Sequence, residues 1–511
     1  MEREIDWTSG YVTEVEYTHG YYRELCPSVL RLICIKAGIA PPTAKPLRYL
    51  ELGCGQGLSI NIHAAAVEGE FWGTDFNPAQ VTHARALADA SGCGVTLLDD
   101  SFEELAARPE VPEFDVIALH GIWTWISEEN SRVVLDIIRR KLRAGGIVYI
   151  SYNCLPGWAP SLPLRHLMKL HADLAPESTG IVGKLNGALA FAQRLVDSGA
   201  IYFRGNPAVV ERLKSMSQQN RRYLAHEYFN QDWRVMAFSD VVKWLDGAKL
   251  TFVASADFMA DIGNLPHEGQ KLLSEIKHPV LWQSVRDYFV NQQFRQDVFV
   301  KGPLRLQPLE QSEALRAQAF VLTTHPDDVP MKIKGEFGEG QLQERIYRPL
   351  IEVLAENTYA PKAIDNLNAH DRLQFLKPDQ LIEALLVLVG TVHAHPAQPS
   401  ERGPSEYCQR LNRHLLGRAR SSADIAFLAS PVTGGGVPVT QFEQLFLLGM
   451  QEGKRSAAEL AAFAWTFNEG RGITKDGKVL KSAEENIAEL DRIAQYFTSK
   501  RVAILKALKV I

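Results

Sequence analysis

The sequence predicts an α/β fold, a doubly wound, Rossmann-like sheet, and three observations predict it. A short buried-strand pattern, Arg48-Tyr49-Leu50-Glu51-Leu52, runs straight into Gly53-Cys54-Gly55-Gln56-Gly57, and an apolar helical stretch follows from Leu58 to Val67. Strand, glycine loop and helix open a sheet of this kind. Further strand patterns recur at helix-length intervals: Phe71 to Asp75, Val95 to Leu98, Phe114 to Leu119 and Ile147 to Asn153. Their carboxyl ends carry polar residues, Asp75-Phe76-Asn77, Asp99-Asp100-Ser101 and His120-Gly121, at the edge where such sheets bind ligands.

Each element adds a constraint. The glycine loop reads GxGxG with Leu58 at the next position, not the GxGxxG of dinucleotide binders, and no Lys-Ser/Thr follows it, which excludes a P-loop. Glycines there let the backbone turn sharply and approach a ligand. Glu51 stands two residues before the first glycine. Asp75 ends the second strand, 24 positions after Glu51, where a carboxylate can accept ribose hydroxyls. Leu142 to Asn153 reads as a helix end, a Gly145-Gly146 cap and a fifth strand.

Glu51-Leu52-Gly53-Cys54-Gly55-Gln56-Gly57 resembles motif I of the class I S-adenosylmethionine-dependent methyltransferases. The resemblance implies a seven-stranded Rossmann-like sheet and S-adenosylmethionine as cofactor. It places Glu51, Gly53, Gly55, Gly57, Asp75, Asn77, Asp100, Ser101, Phe102, His120 and Gly121 around that cofactor, with the turn after the third strand at adenine. Lys249 to Ser255 and Arg295 to Lys301 fit the two remaining strands. The roughly 80 residues between the fifth strand and the next sheet helix, Gly157 to Asp232, read as helices over Leu162–Leu174, Lys184–Ser198 and Pro207–Gln219. Such an insertion could act as a lid, a substrate clamp or a dimerisation arm, or merely as padding.

A narrower resemblance rests on His120-Gly121-Ile122-Trp123-Thr124-Trp125, Ser151-Tyr152-Asn153-Cys154-Leu155-Pro156-Gly157-Trp158, Tyr223-Leu224-Ala225-His226-Glu227-Tyr228-Phe229-Asn230 and Leu428-Ala429-Ser430-Pro431-Val432. Together these are similar to bacterial methyltransferases with a methyltransferase regulatory domain, a group that includes rickettsial enzymes acting on lysines of outer-membrane proteins. The resemblance implies methylation of a protein lysine. A neutral lysine at pH 7 costs roughly 4 to 5 kcal/mol, which a dry aromatic pocket offsets. Tyr152, Asn153, His120 and Trp158 are the candidate catalytic residues: a hydroxyl and a carbonyl to orient the acceptor, a base and an aromatic wall. His120-Gly121-Ile122-Trp123 replaces the Asn/Asp-Pro-Pro-Tyr/Phe of many amino-methyltransferases, which tells against amide or adenine N-methylation. Three readings stay open for His120: general base, cofactor contact or satisfied polar residue. Trp125 reads as core. His226 and Glu227 read equally as a pair behind the site or a helix-surface pair. Tyr17, Tyr21 and Tyr22 could cover the cofactor or staple the N-terminal segment. His393 and His395 lack a third ligand, so no metal is expected.

The domain expectation is a methyltransferase domain over 1–302, with the insertion at 157–232 and a regulatory segment at 218–300. A helical or winged-helix-like middle domain (303–395) and a helical C-terminal domain (396–511) follow. Pro396 to Pro404 is the expected boundary, Gly434-Gly435-Gly436 a flexible loop, and Arg418 with Arg420 a solvated basic face.

Composition narrows the partners. The chain has 511 residues, 46% hydrophobic and 23% charged, and Lys+Arg 55 against Asp+Glu 60 gives a net charge of −5. That balance argues against a nucleic-acid partner. No apolar run is long enough to span a bilayer. Six cysteines without CxxC spacing and a charged N-terminus fit a cytoplasmic, reduced protein. The expected partner is a protein substrate, with about 200 residues beyond the catalytic domain as the argument. A homodimer through the insertion is a further expectation. Small-molecule O-, N- or C-methylation is the alternative, and a cofactor-binding regulator without turnover is the third reading.

Overall fold

Apolar residues occupy both phases of the predicted strands, so the sheet must be covered on both faces. A computed structural model of the chain describes residues 8, 10–13, 18–260, 265–335, 337–398, 405–475 and 477–511. The sheet has seven strands: β1 (Leu47–Leu52), β2 (Gly69–Thr74), β3 (Val95–Leu98), β4 (Phe114–Leu119), β5 (Leu142–Asn153), β6 (Leu250–Ser255) and β7 (Phe294–Lys301). Their order is β3-β2-β1-β4-β5-β7-β6. The first five are parallel, and β7 runs antiparallel to β5 and β6. The order reverses between β1 and β4, which makes the carboxyl ends of these strands the ligand crevice.

Five helices, α1 (Pro27–Lys36), α2 (Leu58–Ala66), α3 (Pro78–Ser91), α4 (Phe102–Ala107) and α5 (Glu128–Lys141), belong to the parallel part. Their starts are written in the sequence. Asn77 caps α3 ahead of Pro78, Ser101 and Glu104 form a capping box on α4, and Ser127 caps α5. Strand alternation splits the core. Tyr49, Val116, Ala118 and Tyr149 face α1 to α3, while Leu50, Ile117, Leu119, Ile150 and Tyr152 face the α5 side. Gly145 and Gly146 lie inside β5 rather than capping α5. A register shift against β4 surrounds them, and Gly145 takes a left-handed φ of +79°.

The insertion is helical: α6 (Leu162–Asp173), α7 (Gly180–Asp197), α8 (Ile201–Gly205), α9 (Pro207–Gln218) and α10 (Arg221–Phe229). It has its own core of Leu164, Met168, Leu185, Leu189, Leu213 and Leu224, and Trp158 is buried in it. α11 (Phe238–Asp246), α12 (His267–Glu275) and α13 (Pro279–Phe289) complete the sheet domain.

The C-terminal half is mainly helical with short strands. It runs α14 (Pro308–Arg316), β8 (Ala319–Leu322), β9 (Lys332–Gly335), β10 (Gly338–Gln341), α15 (Glu344–Tyr359), β11 (Lys362–Ala363), α16 (Ile364–Asn368), α17 (Pro378–Gly390) and β12 (Ala394–Ala397). Then come α18 (Ser405–Arg418), β13 (Phe427–Ser430), β14 (Gly435–Pro438), α19 (Gln441–Gln451), α20 (Ala457–Trp465), β15 (Thr474–Lys475), β16 (Lys478–Val479), α21 (Ala483–Tyr496) and α22 (Val502–Ala507). β12 passes through Pro396 and pairs with β8, so the expected boundary at 395/396 falls inside a strand. The rest of the Pro-rich stretch, 399–404, lies outside the described residues, as does Tyr17. One hydrophobic core joins α1, α2 and α3 to the chain end at Val510. Gly434 to Gly436 are not a flexible loop. Gly435 and Gly436 start β14 and lie against the Tyr21 ring, where a Cβ on Gly435 would stand 2.3 Å from the phenol oxygen.

Candidate functional site

The glycine loop leaves β1 in a conformation that side chains disfavour. Gly53, Gly55 and Gly57 have φ of +66°, +53° and +71°. Space is short as well: a Cβ on Gly53 would lie 2.2 Å from Ile122 Cδ1, and one on Gly57 2.3 Å from Ala84 Cβ. Gly53 N and Cys54 N donate to Thr74 O at the tip of β2 (2.8 and 3.0 Å). Asp75 ties the loop to the next turn, its carboxylate accepting from Gly55 N (2.9 Å) and Asn77 N (3.0 Å).

Above the loop lies a cavity. Its floor is Glu51, Gly53 to Ser59 and Asp75, one wall is His120, Gly121, Ile122 and Trp125, and another is His226, Glu227 and Asn230 from α10 and its end. Tyr11, Thr18, Gly20 and Tyr22 of the N-terminal segment also line it. Val12 N holds that segment by donating to Asn230 Oδ1 (2.9 Å), and Tyr22 N donates to Ser59 Oγ (3.0 Å). The Tyr22 ring stacks on His120 at 3.6 Å.

The electrostatics are acidic. Three carboxylates, Glu51, Asp75 and Glu227, line the cavity, and among the described residues no lysine or arginine does. Burial drives each upward: Glu51 to about 8, Asp75 to about 6 and Glu227 to about 7. Glu51 Oε2 is buried without a hydrogen-bond partner. His120 shares a hydrogen bond between Nδ1 and the Tyr149 hydroxyl (2.9 Å), and burial lowers its pKa to about 3, so the ring is neutral.

Of the residues expected from sequence, Glu51, Gly53, Gly55, Gly57, Asp75, His120 and Gly121 meet at the cavity. Asn77 caps α3 instead, and Ser101 caps α4. Phe102 begins α4 and packs into the core on the α5 side. The Asp100 carboxylate is held by Arg108 Nε and by Arg108 Nη2 at 2.9 Å. Tyr152 does not reach the cavity: it points to the opposite face of the sheet, where its hydroxyl donates to Asp297 Oδ2 (2.7 Å). The side chain changes face because β5 alternates, and Asn153, the next residue, lies beside Glu227. Trp158 sits in the insertion core with the Arg212 guanidinium 3.9 Å above its ring. Trp125, expected in the core, lines the cavity, and its Nε1 is buried without a partner. Tyr11, Ser59, Gln80 and Asn230 escaped sequence reasoning. The Tyr223–Asn230 stretch held the one available signal, a His-Glu pair among aromatics.

The site fits the cofactor that the sequence resemblance implies. A buried carboxylate with a partnerless oxygen at Glu51 suits an ammonium, Asp75 has further lone pairs for hydroxyls, and the left-handed glycines leave room for a ligand against the backbone.

A family model for a methyltransferase domain matches residues 50–146, and one for a predicted methyltransferase regulatory domain matches residues 220–301. A protein of Synechocystis sp. is 37% identical over 513 residues, 99% of this chain and 99% of its own. One from Rickettsia prowazekii is 24% identical over 307 residues, 57% of this chain and 53% of its own. Among solved structures, PKMT2 from Rickettsia typhi in complex with AdoHcy shares the fold. It has a TM-score of 0.70 and 18% identity, and covers 96% of this chain and 100% of its own.

Proposed function

We propose that this chain, which belongs to the S-adenosylmethionine-dependent methyltransferases carrying a methyltransferase regulatory domain, methylates lysine side chains of a protein substrate. The observation that carries the reading is Glu227. Glu51 and Asp75 suit the cofactor's ammonium and ribose, which leaves a third buried carboxylate in the cavity; Arg212 and Arg165 act on it from outside, but among the described residues no cationic side chain lines the cavity to pair with it. A cationic acceptor supplies that pair. The rickettsial protein of the same fold is called PKMT2, which accords with the reading.

When bound, S-adenosylmethionine supplies a methyl group on a sulfonium, and its transfer to an amine leaves AdoHcy and one proton. Glu51 holds the ammonium and the glycine loop seats the methionine part. Glu227 draws in the lysine ammonium and takes its proton, with Asn153 beside it as a carbonyl that orients the freed amine. The walls at Trp125, Tyr22 and Tyr11 exclude water and hold the aliphatic stem.

Incubation of the full chain with methyl-labelled S-adenosylmethionine and a cell lysate tests this. Label is expected in protein, released on acid hydrolysis as methyllysine. Glu227→Gln should lower the rate on the order of 10²-fold with AdoHcy affinity nearly unchanged. Label confined to the small-molecule fraction would favour a low-molecular-weight acceptor and overturn the reading.

A further inference from the structure

Outside the catalytic cavity, a groove lies between α6 and the Trp233–Val235 stretch that follows α10. Its apolar floor includes Leu162, Leu170 and Trp233, with Leu170 46% exposed. Its cations are Arg165, Lys169 and Arg234, joined by His166, and its one carboxylate, Asp173, is spent on Lys169 (3.1 Å).

Arg165 is the unusual member. It is 8% exposed, yet among the described residues it makes no ion pair. One Nη donates to Asn230 O (2.9 Å), the guanidinium lies 4.3 Å over the Trp233 ring, and Nε is buried without a partner. Burial lowers its pKa to about 10. Arg234 repeats the pattern: Nη2 donates to Ser131 Oγ (3.1 Å), and Nε is buried and partnerless. Both guanidinium groups are held in place and line the groove with Lys169, and among the described residues neither is neutralised by an ion pair, which suits them to carboxylates.

The groove also adjoins the catalytic cavity. Arg165 bonds the backbone of Asn230, a cavity residue, and feels the charge of Glu227. Arg234 N donates to Thr124 O, next to cavity-lining Trp125.

We propose that this groove is a specificity site that takes an acidic segment of the protein substrate, its Asp or Glu carboxylates engaging Arg165 and Arg234 while a neighbouring lysine enters the cavity. The inference rests on the protein-lysine reading above and adds a sequence preference to it. Charge complementarity selects the occupant: a basic groove on a chain of net charge −5 attracts acid and disfavours a lysine-rich flank.

Fluorescein-labelled Gly-Glu-Glu-Lys-Glu-Glu-Gly and its Gln-for-Glu counterpart test it by anisotropy with the full chain at low salt. The acidic peptide should bind at least tenfold tighter. Arg165→Gln and Arg234→Gln should each cut that preference threefold or more while AdoHcy affinity, the check on folding, holds. Should Arg165→Gln fail to fold, Arg234→Gln and Lys169→Gln carry the test. Equal affinity for the two peptides, or a thymidine oligonucleotide of matched charge binding as tightly, would overturn the proposal. A norleucine-for-lysine peptide separates the two readings. If it keeps the acidic preference while no protein takes up label in the lysate experiment, the groove stands and the lysine acceptor falls.

Discussion

Glu51 is 4% exposed, has one oxygen without a partner, and is raised by burial to about 8. Near pH 6 its carboxyl is protonated and offers an ammonium little. As pH rises through about 8 it ionises, so cofactor binding should strengthen with pH, by up to about tenfold per unit below that value. AdoHcy carries the α-amino group of a free amino acid, which is more basic than a peptide N-terminus, so affinity should level off above about pH 8 and fall only once that group loses its proton. Isothermal titration with AdoHcy from pH 6 to 9 checks this, with Glu51→Gln expected to bind more weakly and to lose the rising limb. A rising limb unchanged in that variant would move the titration to another group, Asp75 first. Glu51 and Asp75 were legible in sequence because local geometry fixes them, one just ahead of a glycine loop and one at the tip of the adjoining strand. Tyr11, Glu227 and Asn230 come from segments far from the loop in sequence. They reach the cavity through tertiary packing: the His226-Glu227 pair among aromatics marked one stretch as a candidate, but no local pattern encodes where it docks.

At the scale of elements, β5 and β7 share a buried ionic network that sets aside one expected acceptor residue. Arg295 holds Asp297 through Nε (2.8 Å) and Nη2 (2.9 Å), Asp287 through Nη1 (2.5 Å) and Gln283 through Nη2 (3.0 Å), and it lies 4.2 Å over Phe238. The Tyr152 hydroxyl joins at Asp297. This ties α11, α13 and β7 to the catalytic β5. Tyr152→Phe removes one hydrogen bond from a carboxylate that keeps its arginine, so it should cost about 1 kcal/mol of stability and change kcat less than about twofold. Arg295→Met strands two buried carboxylates and should cost about 3 to 5 kcal/mol. Urea denaturation beside steady-state rates separates the two effects. A kcat loss above tenfold for Tyr152→Phe at unchanged stability would return Tyr152 to the acceptor site. The strands themselves were legible because apolar runs and turn residues are local. Which face Tyr152 and Asn153 present was not, since it depends on where β5 begins, and the Gly145-Gly146 irregularity makes that start differ from the simple helix cap that two glycines suggest.

At the scale of the whole molecule, the C-terminal half is a support for the cofactor site, and its length alone argues less for a macromolecular substrate than the sequence suggested. It covers α2 and α3, the two helices that follow the first two strands. Gln398 Nε2 donates to Ala66 O (2.8 Å), Cys408 Sγ to Ala65 O (3.1 Å), and β14 packs on Tyr21, the neighbour of cavity-lining Tyr22. The most direct link is Arg418, read from sequence as part of a solvated face. Its Nη1 meets His83 Nε2 at 2.6 Å, and His83 Nδ1 meets Gln56 O in the glycine loop at 2.9 Å. Arginine can only donate, so Nε2 accepts, and Nδ1 carries the proton and donates to the loop. A residue of the C-terminal half therefore fixes the tautomer that steadies the cofactor loop. Arg418→Ala should weaken AdoHcy binding about 3- to 10-fold, the worth of roughly one buried hydrogen bond. His83→Ala should do the same, and the double variant should lose no more than either single one, because both break one chain of contacts. Titration calorimetry on the three full-length variants decides it. Additive losses would make the two residues independent, and unchanged affinity in both single variants would reduce the C-terminal half to a cover for apolar helices.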